Sequence, residues 1–282
     1  MTGRQRKLAA EGLKTAYLSG TGFYQPEGRI TNEDLELLVP TTDEWIREHT
    51  GIVERRRLEE GALCSDMGVK AVQRALVDAR VPAEQVDLLV CATSSADTLV
   101  PSAACRIANK LGISPPAFDV NAACAGFLYG LQVVVPLIES ARYRRVALVA
   151  SEHYTRFTDY RDRTTCIFWG DAAACALLQP ERPERGYEVI DVLIGALTEG
   201  VKYVEVPTDG FIRQDGPAVK RYALPGFIHC SRAILERNGL APAEVAAFVG
   251  HQANLRLLEE VVSALGLEHC HHWHTVGNFG NQ

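Results

Sequence analysis

The feature that most constrains the fold is the stretch 118–130, FDVNAACAGFLYG, where a strand pattern changes into a helix pattern. Residues 117–120 favour a short apolar strand, and apolar side chains then recur at helical spacing from Phe127 onwards. Small residues surround Cys124 at this change and let the backbone approach another molecule closely. The positive end of a helix dipole favours the thiolate, the reactive form of cysteine. By its position alone, Cys124 is equally well a nucleophile or a small core residue.

Other strand and helix patterns alternate along the chain. The patterns predict strands at 17–23, 86–91, 145–150, 166–169, 172–178 and near 248 and 270–275, and helices at 65–79, 103–111, 218–237 and 255–265. Most of the strands are apolar throughout, which indicates a sheet buried on both faces. The predicted fold class is therefore a layered α/β fold.

Composition and charge exclude several classes of protein. Hydrophobic residues make up 47% of the 282 residues and charged residues 23%, as in an ordinary globular protein with a large core. The net charge of −6 argues against general affinity for nucleic acid or for anionic membranes, and no apolar run is long enough to span a bilayer. The basic N-terminus, residues 1–8, has no apolar signal core and is interpreted as a loose tail on a cytoplasmic protein. The eight cysteines form no CxxC pair and are expected to be reduced.

Three segments resemble those of β-ketoacyl-acyl-carrier-protein synthase III, the condensing enzyme of the thiolase superfamily that starts fatty-acid chains. They are DVNAACAGF at 119–127, GHQANLR at 250–256 and VGN at 276–278, in the same order as in the family. The resemblance covers nearly the whole chain and implies a five-layered αβαβα arrangement built from two duplicated halves. We place these halves at 1–180 and 181–282, with the boundary in the charged, proline-rich run 180–186. Relatives continue further, so the second half is expected to lack its last strands.

The resemblance implies that Cys124 takes an acyl group from acyl-coenzyme A. A malonyl group on the acyl carrier protein then loses carbon dioxide, and the resulting carbanion attacks the acyl cysteine. His251 and Asn278 are implied to donate hydrogen bonds to the transient enolate oxygen. No cofactor is expected beyond the coenzyme A thioester substrate. The run EHCHHWH at 268–274 carries metal-binding side chains, but no outside ligand is paired with it, and no metal is expected.

The resemblance also assigns residues to coenzyme A. Trp45 and Arg163 are implied to clamp the adenine, by stacking and by a cation–π contact. Asn254 falls near the pantetheine arm. His49 stands where relatives often have an arginine for the coenzyme phosphate, so this contact is expected to be altered.

Further residues are assigned to protein partners by the same resemblance. Lys220, Arg221 and Arg256 are implied to dock the acidic carrier protein, although such charges more often form a solvated helix face. Val100 matches a position that reaches across a homodimer and limits the length of the acyl group. Valine is smaller than the phenylalanine often found there, so a longer or branched acyl group is expected to fit.

Two other functions stay open. One is an acyltransferase of the same fold that passes the acyl group to a hydroxyl or an amine in secondary metabolism, because residues 279–282 and His49 depart from the family pattern. The other is a non-catalytic partner subunit, against which the presence of Cys124, His251 and Asn278 argues. Release of carbon dioxide would separate the first alternative from condensation, and labelling of Cys124 would test the second.

Overall fold

The computed structural model describes residues 10–282, which form two compact units. The first unit contains the described residues through Gln25 together with Glu60–Glu152 and Ala172–Ile194; the second contains Pro26–Glu59, His153–Asp171 and Gly195–Gln282. These units are built from alternating segments, whereas the two predicted halves are contiguous, so the division near residue 180 stays a prediction. The N-terminal run 1–8, interpreted as a tail, lies outside the described residues.

The strands and helices follow in chain order. The strands are β1 (Tyr17–Tyr24), β2 (Gly28–Thr31), β3 (Glu54–Arg57), β4 (Leu88–Ala92), β5 (Ala117–Val120), β6 (Val146–His153), β7 (Asp171–Gln179), β8 (Tyr187–Glu188), β9 (Val204–Glu205), β10 (Arg213–Gln214), β11 (Ala247–Phe248) and β12 (His271–His272). The helices are α1 (Asn32–Glu36), α2 (Asp43–Thr50), α3 (Cys64–Ala79), α4 (Ala103–Leu111), α5 (Gly126–Glu139), α6 (Arg163–Cys166), α7 (Gly216–Arg237), α8 (Leu255–Leu265) and α9 (Val276–Phe279). In the part of the chain that the structure describes, no helix has both the length and the apolar character needed to cross a membrane.

The main sheet has the strand order β5-β4-β6-β7-β1-β8. Strand β4 is parallel to both of its neighbours, β5 and β6, whereas β1 is antiparallel to β7 and to β8. Every residue of β4 is buried, as expected of a strand in the middle of a sheet buried on both faces. The carboxyl ends of β5, β4 and β6 therefore lie side by side, at the edge where α/β sheets place their sites.

Helix α3 packs directly on strand β1 because two glycines of the strand leave room for the helix backbone. A Cβ atom on Gly22 would lie 2.2 Å from the carbonyl oxygen of Ala71 and 2.4 Å from the backbone nitrogen of Ala75. A Cβ atom on Gly20 would lie 2.7 Å from the carbonyl oxygen of Ala75. All three contacts are with backbone atoms of a helix, which cannot turn aside as a flexible side chain can.

The second unit is organised around a fully buried arginine, Arg55 of β3. Its guanidinium donates to the carbonyl oxygens of Ile30 and Ile167, at 3.3 and 2.6 Å, and to Oδ1 of Asn32 at 2.7 Å. The amide of Asn32 in turn donates to Oδ1 of Asp43 at 2.8 Å. Burial lowers the pKa of Arg55 to about 10. This one side chain therefore connects β2, the start of α1 and the residue that follows α6.

The strand predicted at 166–169 is wrong, because Arg163–Cys166 form helix α6. Asp162 caps this helix, accepting hydrogen bonds from the backbone nitrogen of Thr164 at 2.9 Å and from its hydroxyl at 2.6 Å. Such a cap favours a helical turn over the extended conformation that the apolar run suggested. Trp169 makes a single parallel bridge with Asn281.

Replacing Gly22 by alanine should destabilise the first unit. The added methyl group would force the backbone of α3 away from β1, at a cost of at least about 2 kcal/mol of unfolding free energy. Gly195→Ala is the matched control, because a Cβ there meets nothing within 4 Å. Thermal unfolding followed by calorimetry should show a lower Tm for Gly22→Ala only. Equal Tm values for the two variants would contradict the close packing of α3 on β1.

Candidate active site

Cys124 lies in a sharp turn between strand β5 and helix α5. The chain passes through a short 3-10 segment, Ala123–Ala125, so α5 begins at Gly126 and not at Cys124. Ala123 has φ 45°, in the left-handed region that L-residues seldom adopt. Such conformations cost about 1–3 kcal/mol and are concentrated at functional sites. The side chain of Cys124 is exposed, as a nucleophile requires.

Two neighbours fix this turn against the rest of the first unit. Asp119 of β5 accepts hydrogen bonds from the backbone nitrogens of Ala103 and Ala104, at 2.7 and 2.8 Å, in the first turn of α4. A carboxylate is favourable at this positive end of a helix. Gly126 packs against β4, where a Cβ atom would lie 3.2 Å from Cβ of Ala92. The motif around Cys124 thus contains an anchoring carboxylate as well as the thiol.

His251 and Asn278 belong to the second unit, and Gln252 connects their two segments. His251 follows β11, and Asn278 lies in α9. Oε1 of Gln252 accepts hydrogen bonds from the backbone nitrogens of Thr275 and Val276, at 2.6 and 3.2 Å, where α9 begins. The sequence analysis missed this role of Gln252. Its place beside His251, within the run that resembles the family, was the available signal.

Trp45, His49 and Arg163 lie together in the second unit. The guanidinium carbon of Arg163 is 4.3 Å from the centre of the indole ring of Trp45. The ring of His49 also stacks on this indole, with the centroids 4.2 Å apart and an angle of 17° between the planes. Nδ1 of His49 lies 2.8 Å from the carbonyl oxygen of Trp45 and carries the proton, because a carbonyl can only accept. The predicted clamp residues therefore contact each other directly, and an adenine can enter between Trp45 and Arg163 only if one of them moves.

Asn254 and Arg256, two further predicted binding residues, hold α8 against the end of α2. Oδ1 of Asn254 caps α8 by accepting from the backbone nitrogen of Arg256 at 2.8 Å, and Nδ2 donates to the carbonyl oxygen of His49 at 3.1 Å. The guanidinium of Arg256 donates to the carbonyl oxygens of Glu48 and Arg47 at 2.8 and 3.2 Å. The bonds to Glu48 and His49 satisfy carbonyl groups that the end of α2 leaves without helical partners, whereas the carbonyl of Arg47 also accepts from the backbone nitrogen of Gly51.

The three cations predicted to dock a carrier protein differ in their surroundings. Arg256 pairs with Glu259 at 3.1 Å, and Lys220 pairs with Glu260 of α8. Arg221 is exposed and makes no ion pair with any residue that the structure describes. Exposed pairs of this kind contribute little to stability and open readily, so Lys220, like Arg221, is accessible to an acidic partner. Arg256 is held in addition by its bonds to α2.

Val100 and the histidine-rich run complete the predicted set. Val100 precedes α4 and is 82% exposed. Across residues 10–282, no group of three or more potential ligands could hold a metal ion. His271 stacks on Trp273, with the ring centroids 6.0 Å apart, and Nε2 of His272 lies 3.0 Å from the carbonyl oxygen of Leu267.

Comparisons with known proteins give a consistent result. The model for 3-oxoacyl-[acyl-carrier-protein (ACP)] synthase III matches residues 118–197, and the model for its C-terminal part matches residues 235–282. The chain is 38% identical to the β-ketoacyl-[acyl-carrier-protein] synthase III of Oceanobacillus iheyensis, over 93% of this chain and 84% of that relative.

Solved structures extend the similarity to the fold. The crystal structure of 3-oxoacyl-[acyl-carrier-protein] synthase III from Aquifex aeolicus has a TM-score of 0.90 and 31% identity, covering 95% of this chain and 86% of that one. The priming β-ketosynthase of a polyketide biosynthetic pathway has a TM-score of 0.88 and 32% identity, covering 96% and 84% of the two chains.

Proposed function

The chain belongs to the 3-oxoacyl-[acyl-carrier-protein] synthase III family, and we infer from this membership that it is an acyltransferase that condenses an acyl group with a malonyl group held by the acyl carrier protein. The predicted thiolase-like α/β fold and the resemblance of the three motifs are confirmed by the same similarities. The main structural support for this chemistry is that Cys124 is exposed and lies in a strained turn between β5 and α5.

In the first half-reaction we assign Cys124 the role of nucleophile. Its thiolate attacks the carbonyl carbon of acyl-coenzyme A, and a new carbon–sulfur bond forms to the enzyme. The bond from that carbon to the coenzyme sulfur breaks, and the coenzyme thiolate leaves and takes up a proton. Cys124 precedes the first residue of α5 by two positions, and the positive end of a helix dipole favours the thiolate form.

The second half-reaction extends the acyl group by two carbons. The malonyl thioester loses its carboxylate as carbon dioxide, and the electron pair of the broken bond becomes an enolate. His251 and Asn278 are the proposed donors to the enolate oxygen, which gains charge in this step. The enolate carbon then attacks the acyl carbonyl, and the bond to Cys124 breaks to return the thiolate. The product is a 3-oxoacyl group on the carrier protein, the first product of a fatty-acid or polyketide chain.

Three substitutions separate the two half-reactions. Cys124→Ala should lose the mass gain of one acyl group after mixing with acyl-coenzyme A, because the nucleophile is gone. His251→Ala and Asn278→Ala should keep this adduct but release carbon dioxide from malonyl carrier protein about 10²–10³-fold more slowly, since each removes one donor to the enolate. Intact-protein mass spectrometry and radiolabelled carbon dioxide measure the two steps.

Cys105→Ala is the matched control, because Cys105 is a second exposed thiol in the first unit and should be dispensable. An adduct that persists in Cys124→Ala would contradict the assignment of the nucleophile. An adduct on the unaltered protein that passes to a hydroxyl or an amine without carbon dioxide release would favour the alternative acyltransferase. No adduct with any donor would favour a partner subunit.

We propose that Trp45 and Arg163 bind the adenine of coenzyme A, with His49 and Asn254 beside them. The contact of the Arg163 guanidinium with the indole ring of Trp45 supports this, because it brings a planar cation and an aromatic face together. Adenine replaces Arg163 on the indole, and the guanidinium then covers the outer face of the base.

Lys220, Arg221 and Arg256 are the proposed docking surface for the acidic carrier protein, with Arg221 the readiest to contact it.

Two substitutions should affect the two substrates separately. Arg163→Ala removes one face of the clamp and should raise the KM for acyl-coenzyme A about tenfold, with the KM for malonyl carrier protein unchanged. Arg221→Glu should raise the KM for malonyl carrier protein several-fold, in a salt-dependent manner, and leave the KM for acyl-coenzyme A unchanged. Steady-state kinetics with each substrate varied in turn makes each variant the control for the other. A parallel change in both constants would contradict the assignment.

We propose further that two copies of the chain pair along strand β5. This strand is at the edge of the main sheet and leaves one side of its backbone unpaired. Exposed apolar side chains lie on β5, on the adjoining helix and on the loop before α4: Phe118, Leu128, Val133, Leu99 and Val100. Pairing would cover them, and Val100 would then limit the acyl pocket of the partner.

Phe118→Glu should therefore dissociate the dimer, because it places a charge at the centre of this apolar edge. Light scattering should give twice the chain mass of 30.9 kDa for the unaltered protein and the single-chain mass for the variant. Val77→Glu is the control, since Val77 is also an exposed apolar residue, on α3. A monomeric unaltered protein would contradict the proposal.

We propose a cytoplasmic location, as the sequence suggested. The eight cysteines, which form no disulfide among the described residues, support it.

A further inference from the structure

A carboxylate that the chemistry above does not use, that of Glu152, accepts hydrogen bonds from three consecutive residues. Glu152 lies at the end of β6 and is partly buried. Its Oε1 accepts from the backbone nitrogen of Ser94 at 2.9 Å and from the hydroxyl of Ser94 at 3.0 Å. Its Oε2 accepts from the hydroxyl of Thr93 at 3.3 Å and from the hydroxyl of Ser95. The loop that follows β4 is thus held to the end of β6.

The same loop is bonded to the strand that leads to Cys124. The backbone nitrogen of Thr93 donates to the carbonyl oxygen of Val120, the last residue of β5, at 3.1 Å. Cys124 follows four residues later. On the other side of the turn, Gly126 packs against Ala92, the residue before Thr93. A chain of contacts therefore runs from Glu152 through Thr93 to both ends of the turn that carries the thiol.

The four hydrogen bonds to the carboxylate of Glu152 come from hydroxyl and amide groups. Among the residues that the structure describes, it makes no ion pair with a basic side chain. Ionisable neighbours on the elements packed here are Cys64 of α3, Cys91 of β4 and Asp97 of the loop. Arg106 of α4 lies 4.0 Å from Asp97. Burial accordingly raises the pKa of Glu152.

An ionised carboxylate accepts from all four donors at once. Each of its oxygens accepts two hydrogen bonds, whereas an amide would turn an N–H group towards hydroxyls and a backbone N–H that have their own hydrogens to donate. A protonated carboxyl has the same defect. Burial makes the ionised form costly and the four donors offset this cost, so the carboxylate holds the loop in one geometry only while all four donors are in place.

We propose that Glu152, as a carboxylate, is a positioning residue that holds the ends of β4 and β5 in the arrangement in which Cys124 is reactive. The inference deepens the proposed function, since it concerns the nucleophile of that reaction. Glu152 does not contact the substrate; it acts through Thr93, Ser94 and Ser95 on the turn between β5 and α5.

The test measures the reactivity of Cys124 without using the proposed reaction. Iodoacetamide alkylates exposed thiols, and peptide mass mapping gives the rate at Cys124, with Cys105 of the same unit as internal reference. Glu152→Gln should slow alkylation of Cys124 at least about tenfold, because small displacements of a reacting group have large effects on rate. The rate at Cys105 should not change. Asp97→Asn, which alters a neighbouring carboxylate that accepts from the backbone nitrogen of Ser65, should leave both rates unchanged.

A pH series distinguishes positioning from a general structural role. Because the pKa of Glu152 is raised, the side chain takes up a proton as the pH falls through that value and then resembles glutamine. The ratio of the rate at Cys124 in the unaltered protein to that in Glu152→Gln should therefore approach 1 at low pH and reach its full value above the pKa of Glu152. A ratio that is the same at every pH would overturn the proposal.

Ser95→Ala gives a second test that does not depend on the folding of Glu152→Gln. It removes one of the four donors and keeps the carboxylate, and it should slow Cys124 about two- to fivefold with Cys105 unchanged. Unchanged rates at Cys124 in Ser95→Ala and Glu152→Gln, or equal slowing in Asp97→Asn, would overturn the proposal. If Glu152→Gln slows Cys124 but the unaltered protein gains no acyl adduct, the positioning role stands and the proposed function fails.

Discussion

The parallel pairing of β4 with β5 and β6 is the constraint on which the proposed nucleophile site depends. In this register Ala92 lies opposite both Val120 and Ala150, so the three strands end at one edge of the sheet. The chain leaves β5 directly into the turn of Cys124. An antiparallel neighbour would bring its amino end to this edge instead and would leave the turn without the loop that supports it.

Each unit contains an ionisable side chain that is held by hydrogen bonds to uncharged groups. Arg55 donates to two carbonyl oxygens and to the side chain of Asn32 in the second unit, and Glu152 accepts from three hydroxyls and one amide in the first. Burial shifts the pKa of each group towards its neutral form. Such arrangements cost stability unless every partner is in place, and for that reason they fix the positions of the backbone segments that they join.

Local signals in the sequence were sufficient for two of the helices, at 103–111 and 255–265. The helix at 103–111 has the predicted bounds, because Ser102 caps its first turn and Gly112 ends it with φ 73°. The helix at 255–265 is bounded in the same way by Asn254 and Gly266. The strand prediction for 166–169 failed because the apolar residues of this run fit a strand and a helical turn equally well. The residue that favours the helical turn, the N-cap Asp162, lies outside the run.

The sequence alone was sufficient to assign the α/β class, the family and the candidate nucleophile. The signals for them are the strand and helix periods, the helix-capping residues and the run around Cys124, and each of these lies within a short segment. Only the tertiary structure showed which distant residues hold these segments in place. Glu152 and Ser94 are 58 residues apart, Arg55 and Ile167 are 112 apart, and Gln252 reaches the start of α9 across 23 residues. The residues adjacent to a polar side chain in the sequence do not indicate such a distant partner. The hydrogen bond forms only when the strands and helices have brought the two groups together.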